Sequence, residues 1–138
     1  MKEIKRDNAV INYRISGNGE TSLLFVHGSY IDQSYWDEQV KYFSPRFQVI
    51  TLDLPGHGLS GRDRQNWSTQ GFAEDLVTVI EELEMKNVIL IGHSWAADVS
   101  LVAATSDSPF IIGFIAVDYY KSAGTLIIVN RNKPNDEW

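Results

Sequence analysis

The sequence predicts one α/β domain, a mostly parallel sheet with flanking helices, on the strength of two kinds of pattern. Largely apolar runs cover residues 23–26, 47–52 and 88–91, without the alternation of a half-exposed strand. Such runs are typical of strands that are buried on both faces, as in a parallel sheet. Helical spacings separate the runs, and strands that alternate with helices along the chain indicate an α/β protein.

The remaining elements continue the same alternation. Residues 9–15 partly alternate apolar with polar side chains and lead into the turn residues 16–19, which predicts a first strand. Residues 111–117 are apolar, interrupted by Gly113, and predict a later strand. Between the strands, apolar side chains spaced at i, i+4 and i+7 predict three helices. These side chains are Trp36, Val40 and Phe43; Phe72, Leu76, Val79, Ile80 and Leu83; and Trp95, Val99, Val102 and Ala103.

Length and composition limit the classes of protein to be considered. The chain has 138 residues, 43% of them hydrophobic, which is enough for one hydrophobic core that needs no metal ion or disulfide to stabilise it. It contains no cysteine, so disulfides, thiolate metal sites and a cysteine nucleophile are excluded. The 18 acidic and 12 basic residues give a net charge of −6, and we expect no nucleic-acid or membrane partner. With no secretory signal or membrane-spanning run in the sequence, we expect a cytoplasmic protein.

Glycine and polar residues follow three of the predicted strands, where the chemistry of open parallel sheets is found. The sequence His-Gly-Ser follows the strand at 23–26, and Asp-Leu-Pro-Gly-His-Gly-Leu-Ser follows the strand at 47–52. The strand at 88–91 is followed by Gly-His-Ser-Trp-Ala at 92–96, which leads directly into a predicted helix. We expect this third junction to carry the chemistry.

Ser94 lies in the sharp turn from strand to helix at this junction. Such a turn forces a strained backbone that lifts the serine hydroxyl off the sheet, and it requires small neighbours, here Gly92 and Ala96. The helix that begins behind Ser94 directs free backbone N–H groups, that of Trp95 among them, at a developing oxyanion. The alternative interpretation of Ser94 is an ordinary helix N-cap, because serine is favoured at that position.

The three junctions occur in the order and approximate spacing of the α/β-hydrolase superfamily, which the chain resembles over about residues 10–118. By that resemblance Ser94 is the nucleophile, the N–H groups of Ser29 and Trp95 form the oxyanion hole, and residues 53–60 are a structural turn. The resemblance implies a small ester or similar acyl substrate, with no cofactor and no metal. Ala96 stands where the family usually has the last glycine of this motif.

The later part of the chain departs from the family. The family's triad runs in the order Ser, Asp or Glu, and then His, but no histidine follows Ser94 in this sequence. Residues 119–138 form a tail within the single domain, where the family usually has a cap and two further strands. Residues 124–130 resemble a late strand of the family. The resemblance therefore implies a shortened α/β-hydrolase fold with an incomplete triad.

Asp118 is one candidate acid, because it stands at the end of its predicted strand, and Asp136 in the tail is another. For Asp118, capping of the following segment is an equal alternative. His27, His57 and His93 fall in or before the Ser94 motif and match positions outside the family's triad. We interpret His57 as a hydrogen-bonded turn residue rather than as a substitute base.

Two classes of function follow from these observations. The first is a serine hydrolase that forms an acyl-enzyme at Ser94, impaired unless a base comes from outside this chain or from His57. The second is a non-catalytic relative or fragment that binds a small molecule or a partner protein. In a shortened fold the sheet ends on an apolar edge, which predicts self-association.

Overall fold

The computed structural model describes residues 2–119 and, for the backbone alone, residues 126–127. Its strands form one sheet in the order β1-β2-β4-β3-β5-β6-β7. The four central strands β4, β3, β5 and β6 are parallel, whereas β1, β2 and β7 pair antiparallel with their neighbours. The strands are β1 (Lys2–Arg6), β2 (Ala9–Ser16), β3 (Ser22–Val26), β4 (Gln48–Leu52), β5 (Val88–His93), β6 (Ile111–Val117) and β7 (Leu126–Ile127).

Three α-helices connect the parallel strands, and each lies where the apolar spacing predicts it. A 3-10 turn, Gln33–Trp36, leads into α1 (Asp37–Phe43), which is followed by α2 (Thr69–Glu82) and α3 (Ala96–Ala104). The Ser68 hydroxyl begins α2 by accepting a hydrogen bond from the Gly71 N–H at 3.0 Å, as an N-cap serine does. The predicted fold class, an α/β protein with a mostly parallel sheet, is confirmed.

The central strands are apolar on both faces because helices cover both sides of the sheet. On β3, Leu24 and Val26 belong to the larger core, which also includes side chains of α2 and α3. The neighbouring Leu23 and Phe25 point to the opposite face and pack with Trp36 in a second core. Since successive side chains of a strand point to opposite faces, this double burial explains why the apolar runs show no alternation.

The strand β1 was not predicted from the sequence. It forms a hairpin with β2, and its two-residue turn, Asp7 and Asn8, has φ values of 47° and 61°. Positive φ at both positions is the geometry of the tight turns that match strand twist. Among the five residues of β1 only Ile4 is buried, and the other four are charged. The segment therefore lacks the alternation of apolar residues that would predict a strand.

The strands β6 and β7 lie at the end of the sheet opposite β1. A register shift between β5 and β6 accommodates one extra residue, Ile112, whose exposed fraction is 40%. The backbone of β7 pairs antiparallel with Phe114 and Ile115 of β6. The other residues of the late strand expected at 124–130 lie outside the described residues. None of the described helices is both long and apolar enough to cross a membrane.

Candidate active site

Ser94 occupies the turn between β5 and α3, at the carboxyl edge of the parallel strands. Its φ of 56° lies in the left-handed region, which is strained for a residue with a side chain. Its N–H donates to the Val117 carbonyl at 2.9 Å, which anchors the turn to the end of β6. The N-cap of α3 is Trp95, and no side chain caps the helix. The Ser94 hydroxyl is therefore not used as a helix cap.

The backbone around Ser94 is packed too closely for side chains at the flanking glycine. A Cβ at Gly92 would lie 2.6 Å from the Ala96 carbonyl oxygen and 2.6 Å from the Ser100 hydroxyl oxygen. Real Cβ atoms do not approach other atoms so closely, so the first turn of α3 needs a glycine here. The requirement for small residues, predicted from the motif, thus has a direct steric cause at position 92.

The loop after β3 touches this turn through Gly28. A Cβ at Gly28 would lie 3.2 Å from the Ser94 Cβ and 2.8 Å from the His93 Nδ1. The backbone of Gly28 therefore packs directly on the turn, and the next residue, Ser29, is exposed. On the helix side, the Trp95 ring packs edge-on against Phe72 of α2 at 5.0 Å between ring centroids. The two residues expected to supply oxyanion donors, Ser29 and Trp95, thus flank Ser94 on different elements.

His27 is completely buried between this loop and the turn after β4. Its Nδ1 lies 2.7 Å from the Gly28 carbonyl oxygen, and the Leu54 N–H donates to its Nε2 at 3.0 Å. Burial is the main cause that lowers the pKa of His27, so its imidazole is held neutral. No role was predicted for His27, because Leu54 is 27 residues away in the chain and nothing local signals the contact.

Asp53 joins the same two loops through its carboxylate. One oxygen accepts a hydrogen bond from the Gln33 N–H at 2.8 Å, and the other accepts from the Leu59 N–H at 3.0 Å. A Cβ at Gly58, which has a φ of 49°, would lie 2.4 Å from the Asp53 carboxyl carbon. The glycine-rich segment at 53–60 therefore wraps closely around this carboxylate, as expected of a structural turn.

His93 and Asp118 lie side by side at the ends of β5 and β6. The His93 Nε2 is 3.7 Å from an Asp118 carboxylate oxygen, and the Asp118 side chain is 87% exposed. The His93 ring stacks on Tyr35 with 4.5 Å between ring centroids, and its buried Nδ1 makes no hydrogen bond with a described residue. Asp118 also has a strained φ of 50°. Of the described histidines, His93 is therefore the one that Asp118 faces at ion-pair distance.

His57 lies in the turn after β4, partly exposed. Its Nδ1 is 3.2 Å from the Pro55 carbonyl oxygen, and its ring centroid is 5.0 Å from that of His27. Because a carbonyl oxygen only accepts, the Nδ1 carries the proton and the Nε2 is the basic nitrogen of neutral His57. This bond is the one expected of a turn residue, and it leaves a basic nitrogen on the ring.

An open cavity of about 820 Å³ lies elsewhere, over β2 and the loop at 32–34. Its lining includes Asn12, Arg14 and Gln33 but not Ser94. These polar groups bond to one another: the Arg14 Nε donates to the Gln33 amide oxygen at 2.9 Å, and the Gln33 amide donates to Asn12 at 3.0 Å. The cavity therefore presents satisfied structural groups and is separate from the Ser94 turn. Within the described residues, no group of three or more His, Cys, Asp or Glu residues is placed to hold a metal ion.

Comparison with known proteins identifies the family of the chain. A family model described as the alpha/beta hydrolase family matches residues 23–133. The karrikin insensitive 2 receptor B of Petunia hybrida is 35% identical over 97 residues, 67% of this chain and 36% of the relative. The 2-(acetamidomethylene)succinate hydrolase of Mesorhizobium japonicum is 30% identical over 109 residues, 79% of this chain and 39% of the relative.

Solved structures share the fold. A thermophilic esterase from Thermogutta terrifontis superposes with a TM-score of 0.77 at 24% identity, over 86% of this chain and 46% of the esterase chain. The chain thus spans less than half of the esterase, and 36% and 39% of the two curated relatives.

Proposed function

The chain belongs to the alpha/beta hydrolase family, and from that premise we propose that it contributes the nucleophile and oxyanion hole of a serine hydrolase. The substrate is a small ester or similar acyl compound, and the covalent intermediate is an acyl-enzyme at Ser94. Because the curated relatives are more than twice as long as the matched region, the activity of a whole protein of this kind is part of the proposal.

The observation that carries the proposal is the strained Ser94 backbone, with a φ of 56°, beside a hydroxyl that caps no helix. Backbone strain is retained in folded proteins where the surrounding structure enforces it, and it concentrates at functional sites. An N-cap serine has an extended backbone and a side-chain oxygen that accepts a hydrogen bond from an N–H of the first helical turn, and Ser94 has neither property. The geometry supports the role of a nucleophile over that of a cap.

In the proposed reaction, the Ser94 Oγ attacks the acyl carbon and the carbonyl oxygen takes up the negative charge. The N–H groups of Ser29 and Trp95 stabilise that charge, and the hydroxyl proton passes to a base. When the intermediate collapses, the leaving alcohol takes that proton and an ester remains on Ser94. Water then attacks this ester by the same steps, which releases the acid and restores the serine.

The base is the incomplete part of the site. No histidine follows Ser94 in the chain, so we expect impaired turnover unless a partner or His57 accepts the proton. His57 is a candidate because its Nε2 is the basic nitrogen of a partly exposed ring. Asp118 remains the proposed acid, and the histidine nearest to it is His93. Slower labelling of Ser94 in an Asp118→Asn variant would support this assignment.

The proposed function is tested by labelling the purified protein with a fluorophosphonate, which forms a covalent bond to an activated serine. We expect wild type to be labelled and Ser94→Ala to remain unlabelled, with Ser29→Ala as a control that keeps the backbone N–H. Loss of labelling in His57→Ala would identify that histidine as the base. A folded wild-type protein that is not labelled, or a Ser94→Ala variant labelled equally, would refute the nucleophile.

A non-catalytic binding function is the second candidate, favoured by the absence of a histidine after Ser94. One of the relatives is named as a receptor, which is consistent with recognition of a small molecule on this fold. Retained binding of a small acyl compound, by calorimetry, with no Ser94-dependent release of product would support this candidate. A stoichiometric burst of product that disappears in Ser94→Ala would exclude it.

A further inference from the structure

The hydrogen bonds of His27 determine which of its nitrogens carries the proton. The Leu54 N–H points at Nε2 and can only donate, so Nε2 must be the unprotonated acceptor. The proton of the neutral ring is then on Nδ1, which donates to the Gly28 carbonyl at 2.7 Å. The buried imidazole is thus held as a single tautomer by two backbone groups that come from different loops.

This bond orients the peptide that joins Gly28 to Ser29. In a planar trans peptide the C=O and the N–H point in opposite directions, and the described residues contain no cis peptide. When His27 holds the Gly28 carbonyl on its own side, the Ser29 N–H is directed to the other side. The same peptide begins at Gly28, whose backbone packs on the turn that bears Ser94.

We propose that His27 is a positioning residue that aims the Ser29 N–H at the oxyanion, by holding the carbonyl of the preceding peptide through its Nδ1–H. This inference rests on the proposed function of Ser94 and Ser29. His27 touches neither substrate nor nucleophile, and it acts only through the Gly28 carbonyl. The Leu54 N–H has a supporting part, since it holds the proton on the required nitrogen.

Asparagine and glutamine at position 27 separate this role from simple packing. An Asn side chain places its N–H₂ near the position of Nδ1 and can donate to the Gly28 carbonyl. A Gln side chain places its oxygen near Nε2, where it accepts from the Leu54 N–H without holding Gly28. We therefore expect the Ser29 N–H to keep its direction in His27→Asn and to lose it in His27→Gln, although both variants remove the imidazole ring.

The first measurement is the rate of fluorophosphonate labelling, separated into the affinity for the probe and the rate constant of bond formation. We expect His27→Gln to lower the rate constant about 100-fold, as for loss of one oxyanion donor, with probe affinity changed little. His27→Asn should stay within about tenfold of wild type. Thr78→Ala, a change at a partly exposed residue on α2, is the control for substitution in general. If both variants fold like wild type and their rate constants of labelling fall equally, the proposal is overturned.

The second measurement does not depend on the reactivity of Ser94. Nitrogen NMR of His27 should show a proton on Nδ1 alone at pH 7, and the dipolar coupling of the Ser29 N–H reports the direction of that bond. We expect this direction to be kept in His27→Asn and changed in His27→Gln. A proton on Nε2, or an unchanged direction in both variants, would refute the role of His27 even if Ser94 is labelled. An unlabelled wild type would refute the proposed function instead.

Discussion

Gly28 leaves little room for a side chain beside the Ser94 turn. A Cβ there would lie 2.8 Å from the His93 Nδ1 and 3.2 Å from the Ser94 Cβ, so Gly28→Ala must displace either the loop or the His93 ring at the Ser94 turn. We expect fluorophosphonate labelling to slow about 100-fold, as when one oxyanion donor is lost.

Gly113→Ala in β6 is the matched control for Gly28→Ala. Its new Cβ would meet its nearest neighbour, the Ile89 side chain, at an ordinary 3.7 Å. This variant should be labelled at the wild-type rate. If Gly28→Ala is also labelled at that rate, the loop does not supply an oxyanion donor.

His27 should also make the stability of the protein depend on pH. Burial lowers its pKa below the ordinary value of 6.5, so the unfolded chain takes up a proton at a higher pH than the folded protein does. The free energy of unfolding therefore falls as the pH drops below about 6.5, by at most about 1.4 kcal/mol per pH unit from this residue.

Urea unfolding of wild type and His27→Asn at pH 7.5, 6.5 and 5.5 measures this contribution. We expect a smaller loss of stability on acidification in the variant, because asparagine does not titrate. Parallel pH profiles of the two proteins would contradict the prediction.

The residues of the candidate site differ in how far they could be predicted. Ser94 and Gly92 were identified because a strand-to-helix turn imposes steric demands on adjacent residues, which a short motif records. The contact of Asp118 with His93 and the bonds of His27 were not predicted. They join residues on separate strands and loops, and their geometry exists only once the sheet has formed.

At the level of elements, a buried ion-pair cluster attaches α2 to β1 and to the loop before the helix. The Asp75 carboxylate accepts from the Arg6 guanidinium at 2.8 Å and also pairs with Arg64, and the side chains of Asp75 and Arg64 are each 1% exposed. The Arg64 guanidinium lies 4.7 Å from the centre of the Phe72 ring, which in turn packs on Trp95. The cluster thus contacts Phe72, the residue on which the Trp95 ring beside Ser94 packs.

We expect Asp75→Asn to lower the free energy of unfolding by about 3 kcal/mol, because the buried Arg64 loses its compensating charge. Urea denaturation at pH 7 measures the change. Glu74→Gln is the matched control on the same helix. Glu74 also pairs with Arg6, but its side chain is 47% exposed, and we expect a loss below about 1 kcal/mol. Similar losses for both variants would contradict the prediction.

The helices were predicted well because each is long enough to show its period, and the central strands because burial of both faces makes them continuous apolar runs. The spacing that predicts α2 runs from Phe72 to Leu83, and the helix spans Thr69–Glu82. The strand β1 was not predicted, since a five-residue edge strand with one buried side chain has no pattern of its own. Its place in the sheet is decided by pairing with β2 and by the contact of Arg6 with α2.

For the molecule as a whole, we expect concentration-dependent self-association through the side of the sheet that ends on β6 and β7. Ile112 of β6 is 40% exposed, and the described pairing on that side of β6 involves only Phe114 and Ile115. Unpaired strand edges with apolar side chains favour association. The net charge of −6 opposes it, so added salt should strengthen it by screening the repulsion.

Light scattering across a range of protein concentrations tests this expectation. Ile112→Lys should shift the protein towards the monomer, whereas Leu59→Lys, a change at an even more exposed apolar residue on the loop after β4, should not. A wild-type protein that remains a monodisperse monomer at all concentrations would refute the prediction.

The sequence by itself determined the α/β class, the family and the position of the strained serine, because these depend on periodicity and on steric demands between neighbouring residues. The tertiary structure decided which side chains face one another across the carboxyl edge of the sheet. It brings Leu54 to His27 and Asp118 to His93. Such contacts depend on strand order and register, which are set by long-range pairing and leave no local pattern in the chain.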